Sequence, residues 1–341
     1  MRLFFILILI YGLTQSLQAQ SLQARGASFP KTVYADWIDS YYKQTGIRIR
    51  YEATGSGDGI VSIVHRQADF AGSDKPLKPW RLKRYKLHMF PTLVGCIVLA
   101  YNLPGIPDGA LKLSEEAIAA IFSGEALFWD DARITKHNPS LPLPHQPIKL
   151  AVRADGSGTT YNMTWYLRKI DYEHFPKAKK KFPWKPKTIS ADGSSNLSKL
   201  IQSTPYSIGY VDYSKKLKFS LPAATIENRS GNWIPPSLKA AQKSAALAHL
   251  DKEKDFYGII AYKNGNESYP LVATTFILLP KENQVKNREI TRFFQWAFTH
   301  GEAIANKHGF ALLPQNTLND ISQYWAQKAI APTIGKYATL P

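Results

Sequence analysis

The sequence predicts an α/β protein of two domains, each a mostly parallel sheet flanked by helices. Three observations carry that prediction. Segments with strand and helix periodicity alternate along nearly the whole chain, the order that builds parallel sheets with helical crossovers. A polar or glycine-rich turn stands at a helix start at 27–29, 55–59 and 156–159. Two long apolar runs, at 94–101 and 273–279, bracket a middle block. Both ends of the chain (25–95 with 273–341) then form one domain, the middle (96–272) forms the other, and the two runs are the crossovers. At 341 residues and 44% hydrophobic content the chain is long enough for both.

Taken in order, residues 1–24 read as an export signal: Arg2 supplies the positive start, 3–13 are apolar, and Ala19 or Ala24 ends a cleavage site. About eleven apolar residues are short for a membrane anchor, the alternative reading. Over 31–44, Val33, Trp37 and Tyr41 recur every four residues, as do Tyr34, Ile38 and Tyr42. That predicts a helix with a wide buried face, opened by Ser28 near its cap and Pro30 in its first turn, and closed by Gly46. Residues 47–52 alternate apolar and charged side chains and should be a strand. After Gly55-Ser56-Gly57-Asp58-Gly59, residues 60–66 carry a helical stripe. A short strand ends in the polar turn Gly72-Ser73-Asp74, and 90–102 form a longer strand.

In the middle block, Ser114 followed by Glu115 and Glu116 opens a helix over 113–124. A proline-rich loop leads to a strand at 148–152, a turn, and a helix over 161–170 with Trp165, Tyr166, Leu167 and Ile170 on its inner stripe. The polar stretch 190–196 precedes a short helix, 207–211 a strand, and 240–249 an alanine-rich helix. Residues 271–280 are β-rich, 290–300 form a strongly apolar helix, and Tyr324 and Trp325 belong to the last one.

Composition excludes more than it assigns. Cys96 is the only cysteine, so no intramolecular disulfide exists, and its apolar neighbours make it an inert thiol. The serine-hydrolase elbow and the Walker pattern are absent, and no His pair has metal spacing. No catalytic residue, metal or cofactor is therefore expected. The formal charge is +17, spread along the chain except for the dense run 177–187, which three nearby prolines mark as an exposed loop. Such a charge suits a small anion, a membrane surface or nucleic acid; a solvated face is the plainer meaning of the run, and no nucleic-acid partner is expected.

The stretch with most chemistry is Arg153-Ala154-Asp155-Gly156-Ser157-Gly158-Thr159-Thr160. It joins a strand to a helix, so unpaired N–H groups and the positive end of the helix dipole face the turn. The glycines admit an oxyanion closely, the hydroxyls donate, and Arg153 offers a forked cation. Alone it also reads as an ordinary capped turn. Together with 27–29 and 55–59 it suggests a tetrahedral anion held between two domains.

These residues carry a family resemblance. Gly26-Ala27-Ser28-Phe29-Pro30, Gly55-Ser56-Gly57-x-Gly59, Gly72-Ser73-Asp74-x-Pro76-Leu77, Arg153 to Thr159 and Thr274-Thr275-Phe276-Ile277-Leu278 resemble the periplasmic phosphate-binding proteins of Pst-type ABC importers, in order along nearly the whole chain after the signal. The resemblance implies the two-domain periplasmic-binding-protein fold, with one dehydrated phosphate in the interdomain cleft. It implies a monomer that delivers the ion to an inner-membrane ABC permease and does no covalent chemistry. Carried over by matching motif, the ligand contacts are Ser28 and the Phe29 N–H, Ser56, Asp74, Arg153, Asp155, Ser157, the Gly158 N–H and Thr159. Asp155 either orients Arg153 or faces the ligand.

Asp74 is the informative residue. Phosphate near neutral pH keeps a proton that a carboxylate can accept; sulfate has none, and would leave the carboxylate facing a bare oxyanion at a cost of several kcal/mol. Asp58 departs from the resemblance, standing where a small neutral residue is usual; it should point to solvent or cap the following helix. Other tetrahedral oxyanions, a secreted phosphatase using the same pocket, and a polyanion-binding surface around 177–187 are the competing functions.

Overall fold

The computed structural model describes residues 21–185 and 188–332, so the signal reading of 1–20 lies outside the described residues. The chain starts β1 (Leu22–Gly26), α1 (Lys31–Thr45), β2 (Ile49–Glu52), α2 (Ser56–Val64), β3 (Phe70–Ser73) and α3 (Pro79–Tyr85). The long β4 (Leu87–Asn102) then leads to β5 (Lys112–Leu113), α4 (Glu115–Ser123), α5 (Ala132–Thr135), β6 (Lys149–Arg153), α6 (Gly158–Ile170), β7 (Ile189–Ala191), α7 (Ser194–Ser203), β8 (Ser207–Asp212) and α8 (Tyr213–Lys218). After β9 (Thr225–Glu227), β10 (Trp233–Ile234) and α9 (Leu238–Ala246) come β11 (Val272–Pro280), α10 (Gln284–His300), α11 (Glu302–Lys307), β12 (Phe310–Leu312) and α12 (Gln315–Gln327).

One nine-stranded sheet runs through the molecule in the order β2-β1-β3-β11-β4-β8-β6-β7, with β12 also on β4. Its flanks are parallel, as expected: β2, β1 and β3 on one side, β8, β6 and β7 on the other. Its centre is antiparallel, because β11 and β4 return against their neighbours. Residues 87–96 of β4 pair with β11, whereas 97–102 pair with β8. The strand passes from a first lobe to a second at Cys96–Ile97. Cys96 is 1% exposed there and its thiol donates to the Ser237 carbonyl at 3.5 Å. β5, β9 and β10 form a small separate sheet.

The first lobe is closed by aromatic packing between the two ends of the chain. The Phe294 ring of α10 lies 5.9 Å from Tyr34, 5.8 Å from Phe70 and 5.5 Å from Phe90, and Trp325 of α12 lies 5.1 Å from Phe90. Edge-to-face rings at these separations add to their burial energy. A segment from the middle block also reaches this lobe: Lys252 pairs with Asp320 at 3.1 Å, and Tyr324 donates to Asp255 at 2.6 Å.

Several boundaries differ from the sequence reading, each for a physical reason. α2 and α6 begin at Ser56 and Gly158, four and three residues earlier than periodicity suggests. Their glycines are helical residues kept small by close neighbours, since a Cβ on Gly57 would lie 2.9 Å from the Gly156 carbonyl. Ser28 does not cap α1; Pro30 stands at the cap and makes no side-chain bond. α3 and β12 are too short to show periodicity. Over its described residues, 177–185, the basic run is a loop as expected, but an anchored one: Ser157 N–H donates to the Lys180 carbonyl at 3.0 Å, and the Thr164 hydroxyl to that of Lys179 at 3.1 Å. Leu22 and Ala24 are buried in β1, so a signal cut after Ala24 would remove most of that strand.

Candidate functional site

Parallel strands deliver their loops to one end of a sheet, and here the loops of both lobes meet. β1 ends in Gly26, followed by Ala27, Ser28 and Phe29. Beside it β3 ends in Ser73 and Asp74, and α2 starts at Ser56. From the second lobe β6 ends in Arg153, α6 starts at Gly158 and α7 at Ser194. The N-termini of α2, α6 and α7 thus bring positive dipole ends to one place.

The lobes touch through short polar contacts. Gly57 N–H donates to the Gly156 carbonyl at 2.8 Å, Asn162 Nδ2 to the Asp74 carbonyl at 2.7 Å, and the Ser28 and Ser194 hydroxyls are 3.1 Å apart. The approach is closest at Gly158, where a Cβ would sit 2.3 Å from Ser56 Oγ and 2.8 Å from Asp74 Oδ2. Beside these contacts lies a cavity of ≈320 Å³ whose lining includes Ser28, Lys31, Arg153, Asp155, Asp192 and Ser194.

Arg153 is 3% exposed, and its guanidinium grips both oxygens of Asp155, Nε to Oδ1 at 2.5 Å and Nη2 to Oδ2. Its Nη1 donates to Ser194 Oγ at 3.0 Å. Burial works to raise Asp155, but the hydrogen bonds and charge of Arg153 with the Gly193 N–H hold it below the ordinary carboxylate range. Asp155 therefore orients Arg153.

Asp74 has the opposite surroundings. It is 2% exposed, and burial pushes its carboxyl up to about 7. The Thr275 hydroxyl at 2.6 Å, the more distant Arg153 charge and Ser56 offset part of that. Thr275 reaches it because β11 shifts register between Thr274 and Phe276, and such a bulge re-aims a side chain. Ser56 Oγ receives the Asp74 N–H at 3.1 Å and lies 3.3 Å from Oδ2.

The structure brings all nine motif residues together, in unequal settings. Ser28, Arg153 and Asp155 line the cavity; Ser56, Asp74 and Gly158 meet where the lobes touch, and Phe29, Ser157 and Thr159 are buried and are not among the lining residues. The Phe29 ring is 4.9 Å from Phe310, edge to face, which fixes the backbone after Ser28. Ser157 caps α6 by accepting the Thr160 N–H at 3.1 Å, leaving its own proton free to donate. Asp58 is exposed in the first turn of α2 and accepts the hydroxyl of Thr54, itself a lining residue of the cavity, at 2.6 Å.

Sequence reasoning missed Ser194, Gly193 and Thr275 as site residues. The stretch Asp192-Gly193-Ser194 repeats the turn-before-helix plan of the other motifs, and Thr275 lies in the motif 274–278 of the resemblance.

Comparison with known proteins follows the same lines. The model of the PBP superfamily domain matches residues 14–300. The phosphate-binding protein PstS of Haemophilus influenzae is 34% identical over 93% of this chain and 96% of its own. The chain belongs to the PstS family. The PstS protein of Pasteurella multocida is also 34% identical, over 95% of each chain. Among solved structures, a phosphate-binding protein from Stenotrophomonas maltophilia shares the fold, with a TM-score of 0.66 at 17% identity, covering 89% of this chain and 93% of that one. The PstS resemblance spans both lobes and the strands that cross between them.

Proposed function

We propose that this protein captures inorganic phosphate between its lobes and hands it to an ABC permease of the inner membrane, without covalent chemistry. The observation that carries the reading is Asp74, a buried carboxylate placed against the start of α6 from the other lobe. Helix N-termini, hydroxyls and a guanidinium suit any oxyanion. A carboxylate beside them suits only one that still carries a proton. PstS relatives are named for phosphate, and the arrangement of Asp74 fits that ligand.

Donors come from both lobes, so closure follows capture, and only the closed form offers the full set. In this reading 25–95 with 273–341 and 96–272 move as the two domains of a monomer. Export to the periplasm would follow cleavage after Ala19, which leaves β1 whole. No helix among the described residues is long and apolar enough to cross a membrane.

The test is calorimetric titration of the processed protein with phosphate, alone and with excess sulfate. Phosphate heat that survives sulfate supports the reading. No heat, or full competition by sulfate, sinks it, and turnover of a chromogenic phosphoester would make the protein a phosphatase instead.

A further inference from the structure

A second and larger cavity, ≈680 Å³, opens on the second lobe between α6 and the loops before β10 and β11. Three cations line it, Lys169, Arg229 and Lys263, with three rings, Trp165, Tyr257 and Tyr262. No carboxylate is among its lining residues. Glu115, held by the Tyr262 hydroxyl outside the lining, feels the Arg229 charge.

The cations and rings are already arranged as pairs. Lys169 Nζ stands 5.3 Å above Trp165, and the Arg229 guanidinium 5.7 Å above Tyr262. Tyr262 holds a left-handed backbone, φ +56°, tied by its N–H to the Pro270 carbonyl at 2.7 Å and by its hydroxyl to Glu115 at 3.1 Å. A bulky residue persists in that region only where its surroundings enforce it. The ring is thereby fixed as a wall of the cavity. Burial and the Lys169 charge both lower the Lys263 ammonium, which marks crowded positive charge that an anion would relieve.

We propose that this cavity binds a nucleoside phosphate, the base stacked among Trp165, Tyr257 and Tyr262 and the phosphates held by Lys169, Arg229 and Lys263. Aromatic faces accept any base by stacking, and guanidinium and ammonium groups take phosphate oxygens. The site is distinct from the phosphate clamp. Trp165 and Lys169 lie seven and eleven residues along α6 from Gly158, about 10 and 16 Å at the helical rise.

The experiment is calorimetric titration with ATP, free of divalent metal, with the clamp first filled by saturating inorganic phosphate. ATP heat should persist under phosphate. An Arg229→Ala/Lys263→Ala variant should bind ATP roughly tenfold more weakly, and Trp165→Leu should bring ATP down to the level of tripolyphosphate, which has charge but no ring. Circular dichroism melts confirm that the variants fold. The proposal fails if ATP gives no heat under phosphate, if the double variant binds ATP unchanged, or if tripolyphosphate or a poly-glutamate peptide matches ATP. The phosphate titration that precedes each run reports on the clamp separately, so loss of one site is read apart from loss of the other.

Discussion

Asp74 sets selectivity at the scale of one residue, and its environment decides the pH at which it does so. With the carboxyl at about 7, it is ionised at pH 8 and rejects sulfate. At pH 6 it is protonated and becomes a donor that any oxyanion accepts. Sulfate should therefore compete roughly tenfold better at pH 6 than at pH 8, and Asp74→Asn should abolish that dependence in competition calorimetry. The same shift fixes a stability trend. A carboxyl raised from 3.8 to about 7 binds its proton more tightly folded than unfolded. Its contribution to the ligand-free protein is full below about pH 4 and is lost as pH rises through 7, so melts of the wild type should lose stability over that window relative to Asp74→Asn. Gly158 supplies a steric test. Alanine suits a helix start, but its Cβ would meet Ser56 and Asp74 across the cleft. Gly158→Ala should leave the melting temperature within a few degrees and weaken phosphate roughly ten- to a hundredfold by calorimetry, the scale of an overpacked contact. The nine motif positions could be named from the sequence because each motif is continuous. Ser194 and Thr275 act through partners 166 and 201 residues away; the motif 274–278 includes Thr275 but does not show which residue it meets.

At the scale of elements, the long helices and the flank strands β2, β3, β6 and β8 were legible from residue pattern; β1, which overlaps the residues read as signal, β7, the helix starts and the antiparallel centre were not. Glycine in a sequence signals a turn, and at 55–59 and 156–158 it instead lets a helix end press against another backbone. Pairing direction is settled by where the chain returns, which local residue choice does not show for β4 and β11. The start of α6 can be dissected by substitution. Ser157→Ala removes the cap on the Thr160 N–H and should cost about 1 kcal/mol of stability. Ser157→Asp keeps an accepting oxygen and a negative charge favourable to the helix dipole, so the melt should stay near wild type. Phosphate binding should nevertheless collapse, because a donor has become an anion. Equal phosphate affinity in the two variants would mean that Ser157 only caps.

For the whole molecule, closure joins the lobes across the cleft through polar contacts that include one backbone hydrogen bond, an amide, two pairs of hydroxyls and Lys75 over the Tyr161 ring. Such a set is weak without a ligand, and bound phosphate should supply the remainder. At a hundred times its dissociation constant phosphate should add about 2.7 kcal/mol to global stability, visible as a rise in melting temperature that sulfate does not reproduce at pH 8. The place where β4 leaves one lobe for the other has a chemical clock built into it. Cys96 is the chain's single thiol, sealed at that crossing, with burial pushing it up to about 12. A thiol-trapping reagent must wait for the strand around it to part, so the half-life of labelling counts openings of the crossing one molecule at a time, with no engineered probe. Phosphate should lengthen that half-life in step with occupancy. A rate indifferent to phosphate would place the moving joint elsewhere in the chain.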